Sequence, residues 1–303
     1  MITETEPGVV VRYQSGFYTV EAMGRIVTCV LRGRLKRRSV PGDVISIGDH
    51  VKFAELTDGS GVIEVIEPRK SELVRLDPTP RGAYRQILLA NPDQIVTVFA
   101  CASPEPHLRM LDRFLVIAEK HGLRAIIIAN KVDLVTKREA RRIFSVYPPL
   151  GYRVIYTSAE KNEGIDDLRE VLTGRISALA GPSGVGKSSL MNRVQPGLGL
   201  NVREINANKD RGRHTTVVRE MFPLQGGGYV ADLPGLRKLT LWDTQPEELD
   251  GYFPELRDLV KHCQFNDCTH NEEPGCAVIQ AVEDGKVSPE RYESYLRMRA
   301  GDN

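Results

Sequence analysis

The 303-residue sequence predicts a multidomain protein with a small N-terminal β-barrel, a central α/β domain and a mostly helical, metal-binding C-terminal domain. Three observations predict this architecture. Short apolar segments separated by glycine fill residues 8–66, strand and helix patterns alternate through the middle of the chain, and cysteines cluster near its end. The predicted domains are residues 1–70, 71–245 and 246–303.

The composition is that of an ordinary globular protein, with 41% hydrophobic and 27% charged residues. No apolar run approaches the ~20 residues that cross a bilayer, and the polar start of the chain is not that of a signal peptide. We therefore expect a cytoplasmic protein with no membrane partner. The net charge of +1 indicates no class of partner, so that evidence must come from local charge clusters.

The N-terminal region favours an OB-fold β-barrel, because about five closely spaced strands separated by turn residues are typical of that fold. The segments predicted as strands are Val9–Tyr13, Phe17–Ala22, Ile26–Leu31, Asp43–Ile47, His50–Ala54 and Val62–Ile66. Between two of them, Arg32-Gly-Arg-Leu-Lys-Arg-Arg38 places five cations in seven residues. This cluster is either a contact for phosphate backbones or a solvated loop, and the barrel context favours nucleic acid.

The central domain is predicted to follow residues 68–92, a Pro- and Arg-rich stretch that we interpret as a linker. Its alternating pattern of strands and helices, βαβαβ, predicts a parallel sheet with ligand-binding loops after the strand C-termini. The elements predicted first are strand Gln94–Ala100, helix Leu108–His121, strand Arg124–Ala129, helix Lys137–Tyr147 and strand Arg153–Tyr156. Those predicted next are helix Ile165–Leu172 and strands Ile176–Ala180, Val217–Phe222 and Tyr229–Leu233.

A phosphate-binding loop is predicted at Gly181-Pro-Ser-Gly-Val-Gly-Lys-Ser188, which has the form GxxxxGK[ST] between a predicted strand and a predicted helix. Glycines let successive N–H groups converge on phosphate oxygens at the helix N-terminus. Lys187 is predicted to reach the β- and γ-phosphates and Ser188 to hold Mg²⁺. The alternative, a glycine-rich turn with a surface lysine, is disfavoured because all four fixed positions are present.

Two loops after predicted strands indicate a guanine nucleotide. In Asn130-Lys-Val-Asp133 the aspartate can accept hydrogen bonds from guanine N1–H and N2–H₂, which adenine does not offer. Asn130 can support the loop, and the Lys131 stem can lie along the base. The backbone of Thr157-Ser-Ala159 can meet the guanine carbonyl oxygen. A polar turn is the alternative for the first loop, and the second loop is informative only together with the first.

Two later segments complete the set of nucleotide motifs. Gly197 to His214 reads as a mobile loop, and Thr215-Thr216 after it offers a hydroxyl for Mg²⁺, although a threonine that merely begins a strand is the alternative. Asp232-Leu-Pro-Gly235 is a DxxG element, in which Asp232 holds Mg²⁺ through water and the Gly235 amide faces the γ-phosphate. Because the base-reading loops precede the phosphate loop, the sequence predicts a circularly permuted α/β P-loop GTPase domain.

The site residues assigned from sequence follow from these motifs. Catalytic roles are assigned to Lys187, His214, Thr216 and Gly235, and Mg²⁺ bound with GTP or GDP is assigned to Ser188 and Thr216. The predicted nucleotide-binding residues are Asn130, Lys131, Asp133, Ser158, Ala159, Gly181, Pro182, Ser183, Gly184, Val185, Gly186, Lys187, Ser188, Ser189, Thr215, Thr216, Asp232 and Gly235.

Leu236 stands where many G proteins carry a glutamine that orients water, so slow intrinsic hydrolysis is predicted. The missing group would then come from the mobile loop or from a partner. His214 is the candidate within the chain, and an ordinary loop histidine is its alternative.

A zinc-binding C-terminal domain is predicted from Cys263, Cys268, His270 and Cys276, four soft ligands within fourteen residues. Three thiolates and an imidazole complete a tetrahedral shell, so one structural Zn²⁺ per chain is expected. Buried cysteines beside a surface histidine are the alternative.

Other residues of the same types receive different interpretations. Cys29 and Cys101 lie in apolar strand patterns and are predicted to be core residues. The chain is predicted to end in the helix Pro289–Met298, with Arg291, Arg297 and Arg299 as candidate RNA contacts.

These motifs together resemble the ribosome small-subunit-dependent GTPase A family of bacteria, over nearly the whole chain. The resemblance implies a GTPase that acts late in assembly of the 30S ribosomal subunit, binds near its decoding region and is stimulated by it. It also implies 16S rRNA as a partner, and we expect a monomer. Two alternatives remain at this stage: a P-loop ATPase or kinase, and a non-catalytic RNA-binding scaffold with a nucleotide-sensing site.

Overall fold

The computed structural model describes residues 4–36, 43–79, 82–198, 219–233 and 244–302. Its N-terminal part is a closed five-stranded barrel, in which the strands pair in the order β1-β2-β3-β5-β4 and β4 returns to β1. These strands are β1 Glu6–Gln14, β2 Phe17–Ala22, β3 Arg25–Leu31, β4 His50–Glu55 and β5 Gly61–Ile66, and a short helix, α1 Gly33–Lys36, follows β3. The predicted OB-fold β-barrel is confirmed.

Alternate side chains fill the barrel, as the period of two in the sequence predicts. On β3, Val27, Cys29 and Leu31 are buried between exposed neighbours, and burial raises the pKa of the Cys29 thiol to about 12. The predicted strand at Asp43–Ile47 is wrong. Its Ser46 backbone N–H donates to the Asp49 carboxylate at 2.7 Å instead of entering a strand ladder.

The stretch interpreted as a linker, residues 68–92, is instead an antiparallel ribbon of β6 Glu72–Thr79 and β7 Gly82–Ala90. Its Leu73 and Leu89 side chains are fully buried in the core of the central domain. Arg69 donates two hydrogen bonds to the Asp49 carboxylate, from Nε to Oδ1 at 2.6 Å and from Nη2 to Oδ2 at 2.7 Å. This pair connects the barrel to the ribbon. The high proline and arginine content of this segment concealed its strand pattern.

The central sheet runs in the order β10-β9-β8-β11-β13-β12, with five parallel strands and β12 antiparallel at the end. These strands are β8 Gln94–Ala100, β9 Arg124–Asn130, β10 Arg153–Tyr156, β11 Ile176–Ala180, β12 Arg219–Pro223 and β13 Tyr229–Asp232. Strand β12 also pairs with β1 at Arg12 and Tyr13, so the barrel continues the sheet. The predicted parallel sheet is confirmed.

Helices cover both faces of this sheet, which explains why its strands read as continuous apolar runs. They are α2 Leu108–Lys120, α3 Lys137–Ile143, α4 Ile165–Leu172 and α5 Lys187–Val194. On β8, Ile95 and Phe99 belong to one core cluster, whereas Val96 and Val98 belong to the other. Helix α3 ends earlier than the predicted Tyr147. Cys101 is buried, as predicted.

The C-terminal domain consists of short helices around its own small core. They are the 3-10 helix Pro246–Tyr252, α6 Pro254–Arg257, the 3-10 helix Val260–His262, α7 Ala277–Glu283 and α8 Pro289–Arg299. Helix α7 was not predicted from the sequence. Val116 of α2 packs into this core beside Phe253 and Tyr295, so the domain is built directly onto the central one. Across the described ranges of the chain, no helix has the length and apolar character to span a membrane.

The proposed RNA contact at Arg291 is wrong. Its side chain is 2% exposed, and it pairs with Asp112 of α2 at 2.7 Å and with Glu255 of α6 at 2.6 Å. Its guanidinium also lies over the Phe253 ring, 4.6 Å from the centroid. Arg297 remains at the surface, where it pairs with Glu293. Arg291 therefore joins the central and C-terminal domains instead of facing a partner.

Candidate functional site

Three loops that the sequence places far apart meet at the carboxyl edge of the parallel sheet, after β9, β10 and β11. Asn130, the last residue of β9, is 1% exposed and links them. Its Nδ2 donates to the Val185 carbonyl of the glycine loop at 2.8 Å, and its Oδ1 accepts from Thr157 Oγ1 at 3.1 Å. The predicted support role of Asn130 thus has a geometric basis. The Thr157 hydroxyl supports the same residue, a side-chain role that the sequence did not indicate.

The two predicted base-reading loops lie side by side. Ser158 donates from Oγ to the Asp133 carboxylate, and the Val132 N–H donates to the Thr157 carbonyl at 3.2 Å. Asp133 itself is exposed. Lys131 adopts a left-handed backbone conformation with φ of 61° and donates from Nζ to the Ser103 carbonyl. The hydrogen bond therefore joins the exposed Asp133 to the fully buried Ser158.

The glycine loop adopts positive φ angles at its glycines. Gly181 and Gly186 have φ of 137° and 96°, and a Cβ on Gly186 would lie 2.4 Å from Asn130 Nδ2. Only glycine fits there, because the loop closes tightly on the asparagine that precedes the base-reading loop. Helix α5 begins immediately afterwards, at Lys187, so its unpaired N–H groups and positive dipole end face this loop.

Lys187 is 4% exposed, and its ammonium is folded into the loop. Its Nζ donates to the Gly181 carbonyl at 2.8 Å and the Pro182 carbonyl at 2.7 Å. Ser188, the predicted Mg²⁺ ligand, is 6% exposed at the same helix start. Asp232 ends β13 opposite Leu179 of β11, one strand away from the loop. The described residues assigned to phosphate and Mg²⁺ therefore gather at one place.

Some residues that the sequence assigns to the γ-phosphate side of the site are not among those described. His214, Thr215, Thr216, Gly235 and Leu236 lie outside the described residues. Their roles stay predictions.

The second site is the cluster of Cys263, Cys268, His270 and Cys276, whose ligand atoms all lie within 4.8 Å of one another. Cys263 and Cys276 have their sulfurs 3.9 Å apart, and His270 Nδ1 lies 3.5 and 3.4 Å from them. Tetrahedral bonds of about 2.3 Å to sulfur and 2.0 Å to nitrogen would put ligand atoms roughly 3.5–3.8 Å apart. The donor set and its spacing fit a four-coordinate metal ion with no open position.

Residues outside the ligand motif hold this cluster in place. His270 Nε2 lies 3.2 Å from an Asp250 carboxylate oxygen, and its backbone carbonyl accepts from the Tyr292 hydroxyl at 2.6 Å. A carboxylate on the second ring nitrogen fixes the tautomer, leaving Nδ1 free to bind metal. Glu273 accepts from the backbone N–H groups of Thr269 and Asn271, and hydrogen bonds from Thr269 are the main reason that its pKa is lowered. Sequence spacing gave no signal for Asp250 or Tyr292.

The basic cluster on the barrel is only partly free. Arg32 and Arg34 both pair with Glu64 of β5, while Arg37 and Arg38 lie outside the described residues. Two of its five cations thus share a single carboxylate within the barrel.

A predicted base-reading loop ahead of a predicted phosphate loop on one parallel sheet is the arrangement of a circularly permuted P-loop GTPase, here with a barrel before it and a cysteine–histidine cluster after it. Comparison with known families agrees with this class. The RsgA GTPase model matches residues 66–242, and the RsgA N-terminal domain model matches residues 7–63. The chain belongs to the RsgA GTPase family, and it is a GTP hydrolase.

Relatives and solved structures match over nearly the full length. The small ribosomal subunit biogenesis GTPase RsgA of Gemmatimonas aurantiaca is 45% identical over 98% of both chains. That of Moorella thermoacetica is 43% identical over 97% of this chain and 96% of its own. The crystal structure of YjeQ from Thermotoga maritima is 36% identical with a TM-score of 0.81, covering 99% of each chain. YloQ, a circularly permuted GTPase, is 28% identical with a TM-score of 0.74, covering 99% of this chain and 95% of its own.

Proposed function

We propose that this chain is a cytoplasmic, monomeric GTPase that acts late in biogenesis of the small ribosomal subunit, where it binds the 30S subunit and its 16S rRNA. The observation that carries the enzymatic part is the hydrogen bond from Asn130 to the Val185 carbonyl, which joins the base-reading and phosphate-binding loops in one site. The names of the relatives, small ribosomal subunit biogenesis GTPases, support the partner. We retain the division into residues 1–70, 71–245 and 246–303 as part of this proposal.

In the proposed complex, Asp133 accepts hydrogen bonds from the guanine edge and the backbone of Ser158 and Ala159 faces its carbonyl oxygen. The glycine loop, residues 181–186, surrounds the phosphates together with Lys187, Ser188 and Ser189. The Lys187 ammonium would exchange its two carbonyl partners for phosphate oxygens, which are stronger acceptors because they are charged.

Mg²⁺ would be held by Ser188 and Thr216 and, through water, by Asp232. When bound with the nucleotide, it neutralises charge on the β- and γ-phosphates. Thr215 and Gly235 are assigned to the γ-phosphate side of the site.

Hydrolysis without a partner is expected to be slow, because Leu236 has no group that can orient water. The test is single-turnover GTP hydrolysis with and without purified 30S subunits. We expect the subunits to raise the rate, and an unchanged rate would contradict the proposed partner. Absence of any turnover in both conditions would instead favour a nucleotide-sensing scaffold. The same assay on His214→Ala decides the role of that residue, since undiminished stimulation would remove it from the mechanism.

We further propose that the cysteine–histidine cluster binds one structural Zn²⁺ per chain. Three sulfur ligands and one imidazole are the ligands that zinc prefers, and no position remains for a catalytic water. Elemental analysis of the purified protein tests this directly. One zinc per chain is expected, and a Cys276→Ser chain that still held it stoichiometrically would argue against the site.

Asp133→Asn is expected to reduce the preference for GTP over ATP by about 5- to 150-fold. An amide presents one acceptor and one donor, so it cannot accept from both guanine N–H groups and meets one of them with its own N–H. The loss of one paired polar contact costs about 1–3 kcal/mol. Competition of GTP, ATP and XTP for a labelled nucleotide measures this, and XTP should gain because its C2 carbonyl matches the amide donor.

Asp167→Asn provides the matched control for that experiment, since Asp167 is an exposed carboxylate of α4 in the same domain. Its nucleotide preference should equal that of the unmodified chain. Equal losses for GTP and ATP in Asp133→Asn would refute the base-reading role.

A further inference from the structure

A cavity of about 630 Å³ lies at the edge of the sheet away from the nucleotide loops. Its walls are formed by Arg124, Arg153, Glu170, Val171, Thr173 and Arg175. Three of these six residues are arginines, and none is aromatic. Neither the nucleotide motifs nor the metal cluster uses any of them.

The arginines converge because of the sheet topology. Arg124 and Arg153 are the first residues of the neighbouring strands β9 and β10, and Arg175 directly precedes β11. The same strands lead into the nucleotide loops at their opposite ends. Since β9 has seven residues at about 3.3 Å each, roughly 20 Å separate the cavity from Asn130. GTP bound at the carboxyl edge therefore does not reach this cavity.

The charge of the cavity is incompletely compensated. Glu170 is 3.5 Å from Arg153, but its side chain is 70% exposed. Within the described ranges of the chain, Arg124 and Arg175 form no ion pair. Arg175 is fixed instead by a hydrogen bond from Nη1 to the Val171 carbonyl at 3.0 Å. Two of the three arginines thus line one concave surface without an ion pair to any described residue, in a chain whose net charge is only +1.

We propose that this cavity binds a backbone phosphate of RNA, on the side of the GTPase domain opposite its nucleotide. The planar guanidinium matches two phosphate oxygens at once, which makes arginine the preferred residue for such contacts. Without aromatic walls the cavity offers no surface for stacking a base, so recognition is by charge and independent of base sequence. This inference rests on the proposed function, which supplies the RNA.

The test is binding of Arg124→Gln/Arg175→Gln to purified 30S subunits across a range of KCl concentrations. We expect the slope of log affinity against log salt to fall by about two, since each phosphate contact contributes about one. Binding of GTP and the intrinsic rate of hydrolysis should stay unchanged, which also shows that the variant is folded. Arg138→Gln/Arg142→Gln is the matched control, because it removes two exposed charges from α3 in the same domain.

The outcomes separate this inference from the proposed function. If the unmodified chain does not bind 30S subunits at any salt concentration, the proposed function fails and the cavity has no RNA to bind. If the unmodified chain binds and the slope of log affinity against log salt falls equally in both double variants, the change comes from the loss of net charge, and the cavity assignment is wrong. If 30S binding is unchanged but calorimetry shows that the unmodified chain binds inorganic phosphate and Arg124→Gln/Arg175→Gln does not, the ligand is a soluble phosphate, and RNA is excluded.

Discussion

Lys187→Ala is expected to lower kcat/KM for GTP by about 10²–10³-fold, the usual effect of removing one group that stabilises charge in the transition state. The ammonium of Lys187 is the only side-chain cation placed inside the described part of the phosphate loop, and it is 4% exposed. Its charge is therefore poorly screened by water and acts strongly on the phosphates. Two carbonyl acceptors, at Gly181 and Pro182, hold it ready at the loop.

The measurement is GTP turnover together with GTP affinity in the presence of 30S subunits. A fall in kcat with little change in affinity would assign the lysine to the transition state, and a parallel fall in affinity would assign it to ground-state binding as well. Lys137→Ala, an exposed lysine at the start of α3, is the matched control and should behave like the unmodified chain. Full activity of Lys187→Ala would mean that the glycine loop is not the phosphate site.

Arg291→Leu is expected to destabilise the protein by about 3–5 kcal/mol, because it leaves two buried carboxylates without their cation. Asp112 and Glu255 have side chains 3% and 6% exposed, so water cannot replace the guanidinium. Asp112 also accepts from the hydroxyls of Tyr147 at 3.0 Å and Ser294 at 2.5 Å. Removal of the arginine therefore disrupts a network that joins α2 to α8.

The expected consequence is a fall in Tm of roughly 10 °C, since 1 kcal/mol corresponds to about 2–4 °C in domains of 150–250 residues. Arg297→Leu on the same helix is the matched control. Its ion pair with Glu293 is nearly half exposed, and such pairs contribute little. Adding Asp112→Asn and Glu255→Gln to Arg291→Leu should recover part of the loss, because neutral groups are less costly to bury. A Tm of Arg291→Leu equal to that of Arg297→Leu would show that the network does not hold the domains together.

The sequence alone identified the nucleotide and metal motifs, and for a physical reason. The predicted phosphate loop spans eight consecutive residues, and the cysteine–histidine cluster spans fourteen, so both motifs depend on local spacing. The permuted order of the nucleotide motifs could also be recognised from the sequence, because each motif kept its position relative to its own strand. The period of two in the barrel and the continuous apolar runs of the sheet predicted the fold class by the same local logic.

Only the tertiary structure determined which charged residues lie at the surface and which are buried in ion pairs that stabilise the fold. Arg291 looked like a surface cation on a terminal helix, but its partner Asp112 lies 179 residues away, and no local pattern records such a pair. The ribbon of β6 and β7 was not predicted for a related reason. Its apolar residues are buried by contact with the central domain, and that contact is not visible in the local sequence. The arginine cavity arises from the starts of three strands that only the sheet brings together. Contacts between residues far apart in the sequence determine which side chains are buried. Burial in turn determines whether an arginine can bind a partner or instead stabilises the fold.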